Sequence, residues 1–483
     1  MELDGRPIPI DDGDTIALAV LRAGEHPRHG GTLCLSGDCG SCVAEVDGVA
    51  YVRTCQTPAR AGMVVRRHPS VGAPPAAGHV RAAEPGVIHD HADVVVVGGG
   101  SSGQAAAVQA AAAGRDVLVL DAATGDEVIV LETGPALIVR RSRGTSVDLV
   151  HLHTHEVVLA TGAAELHPVC PGSDLRGLFT DGAARIAHAA GIALPDAVAV
   201  GGAPEGVPCR KVEGRLLRLE GDAHVTAAVV EHDGVVTAHP CRTAIFSLGS
   251  SPRDLLARIS PDVAVRVVGS AAGAHEPPPP PVEGVVCPCA GTTVEDLDGV
   301  WARGFRELEL IKRASLCGTG TCQGSVCLPH LQAYVGHRSG IPPAPFTARP
   351  AARQITLAEA AAGYHLDATR RTPLHDEHVR LGARLDRFGG WWRPWSYGDH
   401  VAEYRAVRHA VSVGDVSTLG KMTVSGPDVV EALERIYPNH VHDIRPGRSR
   451  YALVLNERGH IIDDGMICRD GDARFTLTFT SGG

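Results

Sequence analysis

The chain has 483 residues, and its 55 acidic and 45 basic side chains give a formal net charge of −10 at pH 7. That length predicts about three or four domains, and the negative charge argues against a nucleic-acid partner. No apolar stretch approaches the roughly 20 residues that span a bilayer, so no membrane partner is expected. The chain opens on the strand-like MELDGRPIPI and not on a basic and apolar leader, which predicts a cytoplasmic location with reduced thiols.

The first motif is a group of four cysteines: Cys34, Cys39, Cys42 and Cys55. Their spacing is C-x4-C-x2-C with a fourth cysteine after twelve more residues, which is typical of a plant-type 2Fe–2S site. Three of them lie on the glycine-rich loop CLSGDCGSC. Apolar and polar residues alternate on both sides of Asp47-Gly48. This pattern predicts a hairpin that brings the fourth cysteine, Cys55, back to this loop. The pattern predicts a ferredoxin-like β-grasp 2Fe–2S module over residues 1–75, closed by a Pro/Gly/Ala-rich linker.

Two alternatives compete with iron at these cysteines. Disulfides are disfavoured in a reducing compartment. Zinc remains open, although the spacing is not that of a zinc ribbon. Four further cysteines stand alone in the sequence and are expected to be small core residues: Cys170, Cys209, Cys241 and Cys468.

A glycine-rich turn follows in DVVVVGGGSSGQAAAVQAAAAGRDVLVLD, which begins at Asp93. The segment predicts a buried strand, a turn, an alanine-rich helix and a second strand. Gly98, Gly100 and Gly103 form GxGxxG, which lets a pyrophosphate approach the backbone, and Asp121 ends the second strand where an acid accepts ribose hydroxyls. The motif predicts a site for FAD or NAD, and the alternative is a turn of the same fold that binds nothing.

The rest of this domain, residues 90–276, resembles the two-dinucleotide flavoprotein family in a contracted form. VVLATGA, which contains Thr161 and Gly162, resembles the strand and turn that close the flavin domain of that family, and VVGSAAG near Val267 resembles its closing motif. The chain before VVLATGA is shorter than in those proteins, and VAVGGAPEG at Val198 is only a fragment of a second glycine-rich turn. The residues favour one nucleotide site over two.

A run of five prolines, residues 277–281, predicts an extended and exposed boundary. Beyond it five cysteines flank a helical pattern: Cys287, Cys289, Cys317, Cys322 and Cys327. CPCAGTT and KRASLCGTGTCQGSVC resemble the 2Fe–2S module of bacterioferritin-associated ferredoxin and related flavoenzyme modules. That resemblance implies a small helical 2Fe–2S module over residues 282–335, selects Cys287, Cys289, Cys322 and Cys327 as ligands, and leaves Cys317 spare. Zinc is again the alternative.

The last segment, residues 370–483, resembles the aminomethyltransferase of the glycine-cleavage system, as in YALVLNERGHIIDDGMICR. The resemblance implies a tetrahydrofolate site. Asp463 matches the carboxylate that positions folate for one-carbon transfer, and Asn439 and Tyr451 match other residues of that pocket. Only the amino-terminal half of that fold is matched, so either a second polypeptide completes it or the segment docks without folate.

The order of these modules resembles the α subunit of the heterotetrameric sarcosine oxidase family. The resemblance implies a multidomain α/β and α+β chain with two 2Fe–2S clusters, FAD or NAD, and tetrahydrofolate as an additional cofactor. It also implies an oxidoreductase acting on CH–NH donors, with amine oxidation on the flavin of a partner β subunit similar to D-amino-acid oxidase. The alternatives are a degenerate scaffold subunit and a non-redox folate-dependent aminomethyltransferase.

Overall fold

The structure is a computed structural model. It describes residues 1–69, 85–131, 136–143, 146–259, 264–346, 348, 351–362 and 370–481. The chain divides into two compact units, residues 1–363 and 364–483. Among the described residues, none of the helices combines the length and the apolar character that crossing a membrane requires.

The first module is a five-stranded sheet with one helix. Its elements are β1 (Glu2–Leu3), β2 (Arg6–Pro7), α1 (Ile16–Arg22), β3 (Val43–Val46), β4 (Val49–Arg53) and β5 (Val64–Arg67). The sheet order is β2-β1-β5-β3-β4, with β1 parallel to β5 and the other pairs antiparallel. Asp47 and Gly48 both have positive φ, as the tight turn between β3 and β4 requires. The predicted β-grasp fold and its hairpin are confirmed.

A parallel sheet extended by an antiparallel meander follows. Its elements are β6 (Gly86–Val97), α2 (Ser101–Ala112), β7 (Val117–Leu120), β8 (Asp126–Leu131), β9 (Ala136–Arg143) and β10 (Ser146–Leu159). The order is β7-β6-β10-β9-β8, and a later strand, β20 (Ala264–Val267), pairs with β10. Ala106 and Ala110 let α2 pack closely on the central strands. The predicted strand–turn–helix–strand is present, and β8 and β9 fill the contracted stretch.

A second parallel sheet occupies the middle of this domain. Its elements are β11 (Ala163–Glu165), β12 (Leu178–Thr180), α3 (Asp181–Ala189), β13 (Ala197–Val200), β14 (Arg210–Val212), β15 (Arg215–Glu220), β16 (Ala227–His232), β17 (Val235–Pro240), β18 (Thr243–Phe246) and β19 (Ser250–Pro252). The order β12-β18-β13-β14 is parallel, and β15-β16-β17 is antiparallel. Residues 201–209 join β13 directly to β14. The fragmentary second glycine-rich turn therefore lacks the helix whose amino terminus would bind a phosphate.

The proline run differs from its prediction. Pro278 and Pro281 are buried, whereas Pro277, Pro279 and Pro280 are exposed. A spacing of three residues matches one turn of a polyproline helix. The run is therefore packed along one edge against the protein, and the expectation that it is exposed throughout was wrong.

The second cysteine module is a short hairpin followed by helices, as predicted. Its elements are β21 (Val285–Cys287), β22 (Thr292–Thr293), α4 (Val294–Ala302), α5 (Leu308–Ser315) and α6 (Leu328–Ser339), and a short α7 (Leu357–Ala361) lies beyond them. Thr293 and Asp296 form a capping box that starts α4. Leu297, Leu331 and Tyr334 fill the core between the helices and are fully buried.

The unit of residues 364–483 contains two sheets. Its elements are β23 (Arg370–Arg371), α8 (His375–Arg380), β24 (Arg384–Phe388), β25 (Trp391–Ser396), α9 (His400–His409), β26 (Gly420–Ser425), α10 (Val429–Ile436), β27 (Arg448–Leu455), β28 (Ile461–Gly471) and β29 (Arg474–Phe479). The larger sheet, β26-β29-β28-β27, is antiparallel and packs Phe475 and Leu477 against Leu433 of α10. Its other side chains leave apolar surface exposed at Met422, Ile461 and Ile462.

A buried histidine pair predicts acid sensitivity of the first unit. His330 of α6 contacts the carbonyl of His167 through Nε2 at 2.9 Å, and both side chains are buried. Burial lowers the pKa of each to about 4 from an ordinary 6.5. In the unfolded chain the two histidines therefore become protonated below about pH 6.5. In the folded chain they stay neutral until about pH 4. Stability should fall across this window, by up to about 3 kcal/mol per histidine.

The variant His330→Leu cannot take up that proton. We expect it to be less stable than the parent at pH 8, because the hydrogen bond is lost, but to lose less stability between pH 6.5 and pH 4.5. Urea unfolding at several pH values measures both quantities. Parallel stability profiles for the parent and the variant would contradict this assignment.

Candidate functional site

The four cysteines of the first group are gathered in the interior. Three lie on the loop between α1 and β3, and Cys55 follows β4; each is at most 5% exposed. The sulfurs of Cys34 and Cys39 are 3.2 Å apart, and the hydrogen bond between these two side chains lowers the pKa of Cys34 to about 6. The hydrogen bond to Cys42, together with burial, raises the pKa of Cys55. All thirteen cysteines of the chain are free thiols.

This donor set fits a metal that prefers thiolates. Four thiols converge without forming disulfides, and the amide of Cys39 donates to Cys34 Sγ at 3.4 Å. Backbone amides aimed at sulfur support the charge of bound thiolates. Thr54 Oγ1 donates to the carbonyl of Cys42 at 2.6 Å and so fixes the turn that carries Cys55. The structure thus brings together all four cysteines that the sequence selected.

The second group brings five cysteines together instead of four. The sulfurs of Cys287, Cys317 and Cys327 all lie within 4.8 Å of one another. Cys289 and Cys322 form a neighbouring pair with sulfurs 3.7 Å apart, and Cys289 also exchanges a hydrogen bond with Cys287. Cys317 is completely buried. The sequence left Cys317 spare, whereas the structure places its sulfur within 4.8 Å of those of Cys287 and Cys327. Which four of the five cysteines act as ligands therefore stays a prediction.

The two cysteine groups adjoin one another. Gly40 lies between Cys39 and Cys42, and a β-carbon built on it would come within 2.7 Å of Cys289 Sγ. Val326, next to Cys327, packs against Cys34 and Cys39. The cysteine-bearing loops are therefore in van der Waals contact.

Two arginines secure this contact between the loops. Arg53 Nη2 donates to the carbonyl of Thr321 at 2.9 Å, across 268 positions of sequence. Arg28 Nη1 lies 3.4 Å from the carbonyl of Pro288 and 3.5 Å from that of Gly40. Neither arginine stands out in the sequence, because nothing local marks a partner so far along the chain.

A small cleft opens where the two loops meet. It encloses about 250 Å³ and is lined by Arg28, Tyr51, His68, Cys289 and Thr321, among others. Tyr51 has a φ of 60°, in the left-handed region that non-glycine residues rarely adopt, and its ring packs edge-on against His68. Cys289 is the least buried of the nine clustered cysteines. The cleft thus gives solvent an approach to the junction of the two groups.

The glycine-rich turn lines a cavity of about 430 Å³. A β-carbon on Gly98 would lie 2.3 Å from the carbonyl oxygen of Ala160, and one on Gly103 would lie 1.9 Å from that of Gly98. Gly100, at the start of α2, has open space above it. Two glycines therefore permit the tight packing, and the third leaves room for a phosphate at the helix amino terminus. These residues fit a nucleotide.

Asp121 lines this cavity and also contacts the glycine-rich turn. Its carboxylate accepts from the amides of Gly99 at 2.5 Å and Ala123 at 2.8 Å, so it supports the glycine turn. Thr161 and Gly162 line the same cavity. Thr161 Oγ1 donates to the carbonyl of Arg253 at 2.7 Å.

Arg253 connects the nucleotide cavity with the first cysteine loop. Its guanidinium donates to both carboxylate oxygens of Asp38 at 2.6 Å, and Asp38 directly precedes Cys39. The cavity wall accordingly includes Ser36 and Asp38 of the first cysteine loop and Ser325 of the second. No local pattern marks this arginine, because its partner lies 215 positions away in the sequence.

The folate candidates lie on two faces of one sheet. Asp463 pairs with Val454 on the face that packs against α10, and its Oδ1 accepts from the amides of Asp464 and Thr480. Tyr451 projects from the opposite face, where its hydroxyl donates to Asp464 at 2.6 Å. Asn439 bridges to the backbone of Tyr451 and Leu453. The structure brings Asn439 and Tyr451 together but places Asp463 apart from the Tyr451 ring.

Comparisons with known proteins agree with this division of the chain. A family model for a 2Fe-2S iron-sulfur cluster binding domain matches residues 1–70, and one for the GCVT N-terminal domain matches residues 374–483. Sarcosine oxidase subunit alpha of Corynebacterium sp. strain U-96 is 32% identical over 206 residues, 40% of this chain and 21% of that protein. Aminomethyltransferase of Deinococcus deserti is 40% identical over 110 residues, 23% of this chain and 31% of that protein.

The chain spans less than a third of the length of these relatives. Among solved structures, L-proline dehydrogenase from P. horikoshii covers 74% of this chain and 96% of its own, with a TM-score of 0.54 and 16% identity. That likeness concerns the fold alone. The chain is similar to sarcosine oxidase alpha subunits over 40% of its length, and the two family models match the segments for which ferredoxin-type and aminomethyltransferase-type folds are predicted.

The five-cysteine cluster predicts a test of the ligand set. Because Cys317 lies within 4.8 Å of Cys287 and Cys327, we expect Cys317→Ser to lower the iron content of the second cysteine group and to remove any iron–sulfur signal that this group produces. Cys322→Ser is the matched variant, since that residue belongs to the outer pair. Iron and sulfide assays with electron paramagnetic resonance compare the two. If Cys317→Ser keeps its full iron content while Cys322→Ser loses iron, the ligands are the four cysteines chosen from the sequence, without Cys317.

The close contact between Gly40 and Cys289 predicts that a side chain at position 40 would disturb both cysteine loops. In Gly40→Ala the new methyl group meets Cys289 Sγ and Thr321 Oγ1, so the loops must separate. We expect a loss of about 1–3 kcal/mol in stability and, where both cysteine groups hold a 2Fe–2S cluster, a weaker magnetic interaction between the reduced clusters. Gly299→Ala in α4 is the control, because its β-carbon meets open space. Equal behaviour of the two variants would show that the loops do not depend on this contact.

Proposed function

We propose that the chain is the alpha-type subunit of a multi-subunit flavin and iron–sulfur amine oxidoreductase. In this role it relays electrons from the oxidation of a secondary amine or amino acid. One observation carries the proposal: the two cysteine groups touch each other at Gly40 and Cys289, and loops from both groups line the nucleotide cavity. Three sites that could each hold a redox or nucleotide group are therefore contiguous within one unit.

The proposed metal ligands are Cys34, Cys39, Cys42 and Cys55 for one 2Fe–2S cluster and four of the five cysteines of the second group for the other. A flavin accepts two electrons at once, whereas a 2Fe–2S cluster passes one electron at a time. Two clusters would therefore convert two-electron transfer from the flavin into single-electron transfer to the acceptor. Eight of the nine clustered thiols are buried, and Cys289 is partly exposed. Contact between the loops keeps the distance between the two sites short.

Arginines provide the charge balance that such sites need. Four buried thiolates would be costly without nearby cations. Arg53 is only 8% exposed and Arg253 is paired with Asp38 beside Cys39. Burial lowers the pKa of Arg353 to about 10, so this neighbouring side chain is still charged at neutral pH. A scaffold without metal would have little use for arginines placed around buried thiols.

We propose FAD or NAD for the cavity at Gly98, Gly100 and Gly103, with Thr161 and Gly162 on its far wall and Asp121 holding the glycine turn. The volume of about 430 Å³ and the open space above Gly100 support a nucleotide. An outside electron acceptor can approach through the cleft beside Cys289. Because thiols stay reduced there, a cytoplasmic location fits all thirteen free cysteines.

Amine oxidation itself would take place in a flavin-containing β subunit similar to D-amino-acid oxidase. The relatives are named as subunits, which supports a multi-subunit enzyme. The unit of residues 364–483 would pass a one-carbon unit to tetrahydrofolate, with Asp463, Asn439 and Tyr451 as the candidate residues. The exposed apolar side chains of Met422, Ile461 and Ile462 favour cover by further polypeptide.

The variant Cys39→Ser tests the relay. It removes one thiolate of the first site, so we expect one iron–sulfur signal to disappear and reduction of the outside acceptor to fall at least tenfold. Reduction of the partner's flavin by the amine should persist. Stopped-flow spectra of the assembled complex follow both steps, and Cys468→Ser, which changes a cysteine in β28, is the control.

Normal delivery of electrons to the acceptor in Cys39→Ser would contradict the relay. An anaerobically purified complex with no inorganic sulfide would favour the scaffold instead. Zinc in both cysteine sites, with folate binding retained, would favour the non-redox aminomethyltransferase.

A further inference from the structure

We infer that Glu434, His440 and His442 form a site for a divalent transition-metal ion on the unit of residues 364–483. The site shares no residue with the cysteine groups or the nucleotide cavity, so it stands or falls independently of the proposed relay. One carboxylate comes from the last turn of α10. The two imidazoles come from the loop that leads from α10 to β27.

The three side chains already converge. One ligand atom from each lies within 4.8 Å of the other two. His442 Nδ1 is 2.7 Å from Glu434 Oε1, and His440 Nδ1 is 3.8 Å from Glu434 Oε2. The two imidazole rings stand nearly perpendicular, with centroids 5.4 Å apart. Metal–ligand distances of about 2.0–2.2 Å place neighbouring ligand atoms roughly 3 Å apart, so only small side-chain rotations are needed.

The backbone around the site is held in place. Glu434 Oε1 accepts hydrogen bonds from the amides of Val441 at 2.7 Å and His442 at 2.8 Å, which fixes the carboxylate against the loop. The Val441 side chain is completely buried, and Ile444 is 3% exposed. The two histidines are thus presented on either side of an anchored residue. Such preorganisation reduces the entropy lost on binding.

The alternative is an ordinary ion pair between Glu434 and a protonated His442. It accounts for the 2.7 Å contact, but it does not use His440, whose ring also faces the carboxylate. One cation stands nearby: Arg450 donates to the carbonyl of His440 at 2.5 Å. Its guanidinium is paired with both oxygens of Asp443, at 2.6 and 3.1 Å, which offsets its repulsion of a metal ion.

The ligand set selects the class of ion. Two imidazoles and one carboxylate suit Zn²⁺, Co²⁺, Ni²⁺ or Cu²⁺, whereas Ca²⁺ and Mg²⁺ prefer sets made of oxygen. Three protein ligands leave at least one position open to water. Both histidines are exposed, with 76% and 64% of their side chains accessible, so an ion can enter from solvent.

A bound ion would stiffen the loop beside the candidate folate residues. Asn439 adjoins His440 and contacts the backbone of Tyr451 and Leu453. Because an ion would tie this loop to α10, metal binding should also raise the melting temperature of this unit.

The test uses the full chain with its iron–sulfur sites loaded. Co²⁺ is titrated into the parent, His440→Gln, His442→Gln and the control His409→Gln, an exposed histidine at the end of α9. Visible absorption reports the ion, and cobalt bound to thiolates is distinguished by its intense near-ultraviolet charge-transfer band. Calorimetry with Zn²⁺ then measures stoichiometry and affinity.

We expect the parent and His409→Gln to bind one Co²⁺ without the thiolate band and to show a higher melting temperature with it. In His440→Gln and His442→Gln, affinity at this site should fall at least tenfold. Equal Co²⁺ binding by all four proteins would overturn the inference. Co²⁺ binding that is always accompanied by the charge-transfer band of cobalt thiolates would also overturn it. Glu434→Gln is avoided because that carboxylate also holds the loop.

Discussion

The close approach of Gly40 to Cys289 is the contact on which the rest of the first unit depends. A side chain at position 40 would collide with a sulfur of the other group. Its absence lets two loops from modules far apart in sequence pack together, and eight of the nine clustered thiols are buried. Arg53 and Arg28 then bind carbonyls of the opposite loop. Burial, charge balance and a short separation between the sites all follow from this packing.

The same packing places both cysteine loops against the nucleotide cavity. Asp38 sits beside Cys39 but turns its carboxylate towards Arg253, which also contacts Thr161 at the cavity wall. One ion pair therefore joins the wall of the cavity to the first cysteine loop. The pair is partly shielded, since the Asp38 side chain is 7% exposed. Electrostatic coupling of this kind is stronger than at an open surface.

The unit of residues 364–483 obeys a different constraint. Its antiparallel sheet buries one face against α10. The apolar side chains of Met422, Ile461 and Ile462 on its strands remain exposed. Alternation along β27 and β28 sends Tyr451 and Asp463 to opposite faces. A complete folate pocket would need groups from both faces near one sheet edge. The anchored loop with Glu434, His440 and His442 lies at the end of α10, beside Asn439.

Local patterns in the sequence determined much of this protein. The Asp47-Gly48 hairpin, the strand–turn–helix at Gly98 and the helices around the second cysteine group depend on neighbouring residues, so they could be predicted. Only the tertiary structure decided the rest. Contacts between distant segments bring Cys317 close to Cys287 and bury Pro278 and Pro281. Such contacts also supply the partners of Arg53 and Arg253. Hydrophobic period and turn chemistry carry no information about such partners, because those contacts form only when whole modules pack.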